Sequence, residues 1–237
     1  MILYVNGDSH TAAAEAVNPH AFAMDDGELF YMGRAPHPAN LAVSWGKLLS
    51  QTLRASFHCG AEAGGSNARI LRTTRDWLEH TPVNQDLLII IQWSTWEREE
   101  WHHQGQYYSI MDNWYKHLPP ELSDRYHAWV KTNSPEKLEQ NARAFHEQIY
   151  QLHKFLQESN IPHLFYNCMY NFFGVKPAEQ KDWNNCYIGP YDNDASYYWY
   201  LKKQGYESDH WYHFGPDGHQ AWADFLVNYI NDHDLIR

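Results

Sequence analysis

Near its amino terminus the chain reads Asn6-Gly7-Asp8-Ser9-His10, and near the other end it reads Asp209-His210-Trp211-Tyr212-His213-Phe214-Gly215-Pro216-Asp217-Gly218-His219. A serine that follows a tight, glycine-permitted turn presents its hydroxyl with backbone N–H groups beside it. It becomes a nucleophile when an imidazole takes its proton, and an acid behind the imidazole orients the ring and stabilises its charged form. Ser9, His213 and Asp209 are residues of these types. Gly-Asp-Ser alone also makes an ordinary turn, so the two segments carry meaning only if the fold brings them to one edge.

The elements needed to do so are visible in the hydrophobic pattern. Apolar runs suited to buried parallel strands occupy Ile2 to Val5, Leu87 to Ile91 and His163 to Tyr166, with a weaker run at Ala55 to His58. Helical periods lie between them. One helix covers Ala39 to Leu53, and another carries Ile70, Leu71, Thr74, Trp77 and Leu78 behind Ser66 or Asn67 as N-cap. A long one starts at Ser134-Pro135 and carries Leu138, Ala142, Phe145, Ile149, Leu152 and Leu156, and the last begins near Pro216. Alternating strands and helices predict one α/β domain over 1–237 with a mostly parallel sheet. Ligands of such sheets sit beyond the carboxyl ends of the strands, where Ser9 follows the first strand.

In motif order the chain resembles the SGNH, or GDSL-type, serine hydrolases. Gly7-Asp8-Ser9-His10 is similar to the first block of that family, Gly64-Gly65-Ser66-Asn67 to the second, and His213 before the last helix to the final one. The resemblance implies a three-layer α/β/α, flavodoxin-like fold with Ser9 as nucleophile and backbone oxyanion donor. It further implies a second donor at Gly65, or Gly64 in the alternative register, and His213 as base. Two departures stand out. Ser94 occupies the third block's Asn position, and losing one oxyanion donor commonly costs about 10²–10³ in turnover; Asn67 or Arg98 are the replacements within reach. The family's Asp lies three residues before its His, where this chain has His210, so Asp209 is one residue displaced. The implied activity is hydrolysis of a small O-acyl ester through an acyl-enzyme. The alternatives are an inactive module of the same fold that binds a glycan or protein, and a metal-dependent hydrolase.

Composition narrows the partners. The formal net charge of −11 repels nucleic acid and anionic membranes, and no basic run offsets it. No stretch is long and apolar enough for a membrane span, and the start lacks a signal-peptide layout, so a cytoplasmic protein is expected. Three cysteines, an odd number without a close pair, fit a reducing compartment. The 16 histidines form no metal-ligand spacing, and neither metal nor cofactor is expected. Most aromatic residues fall in two long insertions after strands, 93–131 and 166–214. Such residues either give the insertions a small core or form flat walls for a sugar face. On the second reading Trp93, Trp96, Arg98 and Trp211 bind the substrate, and an acyl group on a carbohydrate is the expected ester.

Overall fold

The computed structural model describes residues 1–23, 31–81, 86–112 and 114–236. Strand β1 (Ile2–Asn6) sends Leu3 and Val5 into one apolar layer and Tyr4 into the other, as strand alternation requires. Strands β2 (Ser56–Cys59) and β3 (Leu87–Trp93) flank it, and β3 is buried along its whole length. Beyond β3 come β6 (His163–Asn167) and the two-residue β7 (Tyr187–Ile188), all parallel, in the order β2-β1-β3-β6-β7. The remaining strands, β4 (Glu99–His103) and β5 (Gln106–Ile110), form a separate antiparallel hairpin.

Helices cover both faces. On the Leu3 and Val5 side lie α2 (Trp45–Thr52), α6 (Tyr197–Lys203) and α7 (Pro216–Asp232), with Trp45, Leu49, Tyr197, Trp222 and Leu226 in the core, and the short α1 (Pro38–Ala42) precedes α2. The other side holds α3 (Asn67–His80) and α5 (Pro135–Glu158), which pack Ile70, Leu71, Ile149, Leu152 and Leu156 against Tyr4, Ile89, Ile91 and Phe165. Burying each such aliphatic side chain contributes roughly 1.5–3 kcal/mol, so the layered core is the main source of stability. Helix α4 (Ser123–Thr132) belongs to the first insertion. The architecture is the expected three-layer α/β/α domain with a parallel sheet.

One local expectation changes. The helix expected over Ala39 to Leu53 is two helices, because Ser44 ends the first and caps the second, its hydroxyl accepting from Lys47 N–H (3.2 Å). Ser66 is the α3 cap, accepting from Arg69 N–H. The strand order is that of doubly wound sheets whose chain reverses direction between the first strand and its second neighbour. That switch point lies between β1 and β3, so the residues after these strands flank a crevice. Asp8-Ser9 and Ser94 are among those residues, with Gln92 at the end of β3 itself.

Candidate active site

Asn6 closes β1 and fixes the turn after it. Its amide nitrogen lies within 3.2 Å of Tyr4 Oη, Ile70 O and the Thr73 and Thr74 hydroxyls, while its Oδ1 accepts from Gly7 N–H. Position 7 must be glycine, since a Cβ there would stand 2.3 Å from Thr11 Oγ1. The next residue, Asp8, is wholly buried. Its Oδ1 accepts from Gln92 Nε2 (2.7 Å) and His10 N–H (3.1 Å), and its Oδ2 from Ser94 Oγ (2.7 Å) and Arg98 Nη1 (3.1 Å). Burial pushes this carboxyl up, but His10, Arg98 and the Ser94 and Gln92 hydrogen bonds outweigh it and hold the group below its ordinary value. Asp8 is therefore an ionised strut that ties the first turn to the β3–β4 connection.

Ser9 is almost covered, at 7% exposure, and neither its hydroxyl nor its N–H has a hydrogen-bond partner among the described residues. His10 beside it is buried and pushed down to about 4, chiefly by burial, so its ring is neutral. That ring stands edge-on to His213, with centroids 5.1 Å apart. The amino-terminal turn and the loop before α7 thus meet at one mouth of the sheet.

The His213 loop is closed on itself. Ser208 and Phe214 form an antiparallel bridge, Asp209 N–H donates to His213 O (2.8 Å), and Asp209 Oδ1 accepts from the N–H groups of Trp211 and His213 (2.8 Å each). Tyr212 takes a left-handed φ of 70°, which absorbs the extra residue between Asp209 and His213. Asp209 Oδ2 comes to 3.7 Å from His213 Nδ1, whereas Glu15 Oε2 reaches 3.1 Å. A carboxylate only accepts, so Nδ1 carries a proton, and Nε2 is the nitrogen that the neutral ring would offer as acceptor. Among the described residues Nε2 has no partner, and it makes no hydrogen bond to Ser9 Oγ. Glu15 was invisible in the sequence. It ends a run of alanines and itself adopts a left-handed φ of 64°, a conformation no local pattern announces.

The expected oxyanion donors fare differently. Gly65 N–H already donates to Glu62 O (3.0 Å), while Gly64, at φ 79°, has a backbone N–H with no acceptor among the described residues. Ser94 donates its only hydroxyl proton to Asp8. Asn67 directs its amide at Ser94 O (3.0 Å) and Thr95 O (3.3 Å) and accepts from Ser94 N–H, which clamps α3 to the β3–β4 connection. Neither side chain has a donor left for a ligand. Arg98 uses Nη1 on Asp8 and Ser94 Oγ (3.0 Å), and its Nη2 and Nε have no partners among the described residues.

The aromatic wall is corrected. Trp93 is fully buried edge-on to Phe165 (5.4 Å), and Trp96 is stacked on Phe172 (4.9 Å) with its Nε1–H donated to Asn171 O. Both are core, because the first insertion leaves directly from β3 and must be anchored. Trp101, Tyr108 and Tyr126 likewise form a small core of that insertion. Trp211, Tyr212 and Tyr170 are among the exposed aromatics, and Tyr170 lines a cavity of about 390 Å³ with Trp96, Glu97, Asp112, Asn133 and Phe173. Among the described residues, no helix is long and apolar enough to cross a membrane.

Comparison with known proteins places these features beside solved structures of low identity. The psychrotrophic esterase EstA from Pseudoalteromonas sp. is 12% identical, with 98% of this chain and 97% of that chain covered at a TM-score of 0.45. TesA is 13% identical, with 98% and 99% covered at 0.46. The acetyl xylan esterase Est2A from the rumen bacterium Butyrivibrio proteoclasticus is 15% identical, with 99% of this chain and 64% of that chain covered at 0.43. No curated protein matches the sequence. A family model does match residues 37–237, and the chain therefore belongs to DUF6071, a family of unknown function.

Proposed function

We propose that the protein is a serine esterase of the SGNH type acting on a small, uncharged O-acyl ester. The observation that carries this reading is the His213 ring, held with Nδ1 toward Glu15 and Asp209 and with Nε2 unpartnered among the described residues, against the turn that bears Ser9. Ser9 Oγ attacks the ester carbonyl as His213 Nε2 takes its proton, and the alcohol leaves with that proton. Water then attacks the acyl-enzyme, giving a proton to His213 and restoring Ser9. Catalytic hydrogen bonds are often open in a free enzyme and close on substrate, so a rotation of Ser9 completes the pair. The oxyanion is held by the N–H groups of Ser9 and Gly64 and by the free face of the Arg98 guanidinium, which substitutes for the missing amide. Glu15 is the principal acid behind His213, with Asp209 as holder of the loop. Acidic Glu97 and Asp112 beside Tyr170 favour an uncharged alcohol, such as an acylated sugar, over an anionic one.

Turnover of a chromogenic acetate tests this directly. Ser9→Ala and His213→Ala should each lower kcat by at least about 10⁴-fold, since members of such a site act as a unit. Near-unchanged turnover in either defeats the assignment. The commitment of Ser94 and Asn67 to structural bonds favours one rival, a non-catalytic binding module. Stoichiometric, His213-dependent labelling of Ser9 by a fluorophosphonate excludes it.

A further inference from the structure

At the opposite edge of the sheet, two histidines and a cysteine converge. His163 is the first residue of β6, His153 lies on the buried face of α5, and Cys186 directly precedes β7. One ligand atom of each lies within 4.8 Å of the other two. The cysteine is delivered by a tight turn: Cys186 N–H donates to Trp183 O (2.8 Å), and both central residues, Asn184 and Asn185, are left-handed (φ 48° and 62°). Cys186 is partly exposed, which leaves a path from solvent.

The hydrogen bonds define the protons. A carbonyl only accepts, so His163 Nδ1 donates to Ile161 O (2.8 Å). In the neutral ring this leaves His163 Nε2 as a lone pair. His153 Nδ1 must then donate to it (2.8 Å). This leaves His153 Nε2 as a second lone pair, buried and without a partner among the described residues. Orientation of a ring by an N–H bond to a backbone carbonyl is also how metal-bound histidines are set.

We infer that His153, His163 and Cys186 form a transition-metal site with two nitrogen donors and one sulfur donor, suited to zinc(II). The ion takes the place of the proton between His153 Nδ1 and His163 Nε2. That proton moves to His153 Nε2, and both rings stay neutral. The Cys186 thiol, which now donates to Asn184 O (3.5 Å), releases its proton to solvent and binds as thiolate. Soft sulfur with imidazole selects zinc over magnesium or calcium, and three protein ligands leave a fourth tetrahedral position to solvent. The ion would pin the end of α5 to β6 and the turn before β7, independently of the Ser9 site at the other edge.

Cobalt(II) titration of the purified, metal-free full chain tests this. The expected result is one equivalent bound, with thiolate-to-cobalt charge-transfer absorption in the near ultraviolet, displaced by zinc chloride. Cys186→Ser should abolish that absorption, and His163→Gln should weaken binding by more than about 10-fold. No charge-transfer band at saturating cobalt, or a band that survives in Cys186→Ser, overturns the site. If either variant fails to fold, alkylation of the unaltered protein decides: zinc should slow iodoacetamide modification of Cys186 at least 10-fold but leave the partly exposed Cys59 unaffected. An unchanged rate at Cys186 overturns the proposal equally.

Discussion

The two halves of the Ser9 site are built on opposite plans. On one side, Asp8, Gln92, Ser94 and Asn67 are buried, and every polar group of their side chains has a partner. On the other, Ser9, Gly64 and His213 keep a hydroxyl, two N–H groups and a ring nitrogen unpaired among the described residues. A saturated network can only hold shape, because any ligand contact would cost it an existing bond. Unpaired donors and acceptors at a partly open mouth are what a reacting group needs. Residue type does not separate the halves: a serine is structural at 94 and proposed as nucleophile at 9.

Breaking the saturated half should have the larger effect on stability. Asp8→Ala leaves the Arg98 charge unpaired and orphans Gln92 and Ser94, so unfolding free energy should fall by about 3–5 kcal/mol, measured by urea denaturation. A loss below 1 kcal/mol would remove the contrast. Acid should act next. His10 and His163 have an ordinary value of 6.5 but are pushed down to about 4 by burial in the folded protein. Below 6.5 the unfolded chain takes up protons that the folded one refuses. Stability is therefore full above that value and is lost as pH falls toward 4, which thermal melts across this window should record.

The open half should respond in activity instead. Glu15→Gln keeps size but removes the charge behind His213, and kcat should fall about 10–100-fold with stability changed by less than about 0.5 kcal/mol. Asp209→Asn, whose carbonyl still accepts from Trp211 and His213 N–H, should cost less than Glu15→Gln. The reverse order would make Asp209 the principal acid and sharpen the comparison in the other direction.

Much of this was readable in advance, for reasons that differ by residue. The β3 run and the α5 stripe are dictated by burial, whose period is written along the chain. Within α5, Ala142, Ile149, Leu152 and Leu156 are all buried as their spacing demands. His146 and His153 share that buried face, and nothing in the spacing says that an imidazole there finds a polar partner outside the helix, Tyr191 for one and His163 for the other. Trp93 and Trp96 were equally compatible with a wall or a core, since an aromatic type reports size and not direction.

What the amino-acid order determined by itself is the layering, the parallel sheet and the placement of Ser9 and His213 at strand and helix ends, because these follow from periodicity and turn chemistry within a few residues. Which acid faces His213, which glycine keeps a free N–H and which side chains have a hydrogen bond left to give were decided only by tertiary contacts. Glu15 meets His213 at a sequence separation of 198, and Asp8 meets Arg98 at one of 90. Hydrogen bonds of that kind depend on ångström-scale placement of atoms from different elements, and such placement exists only once the layers have packed.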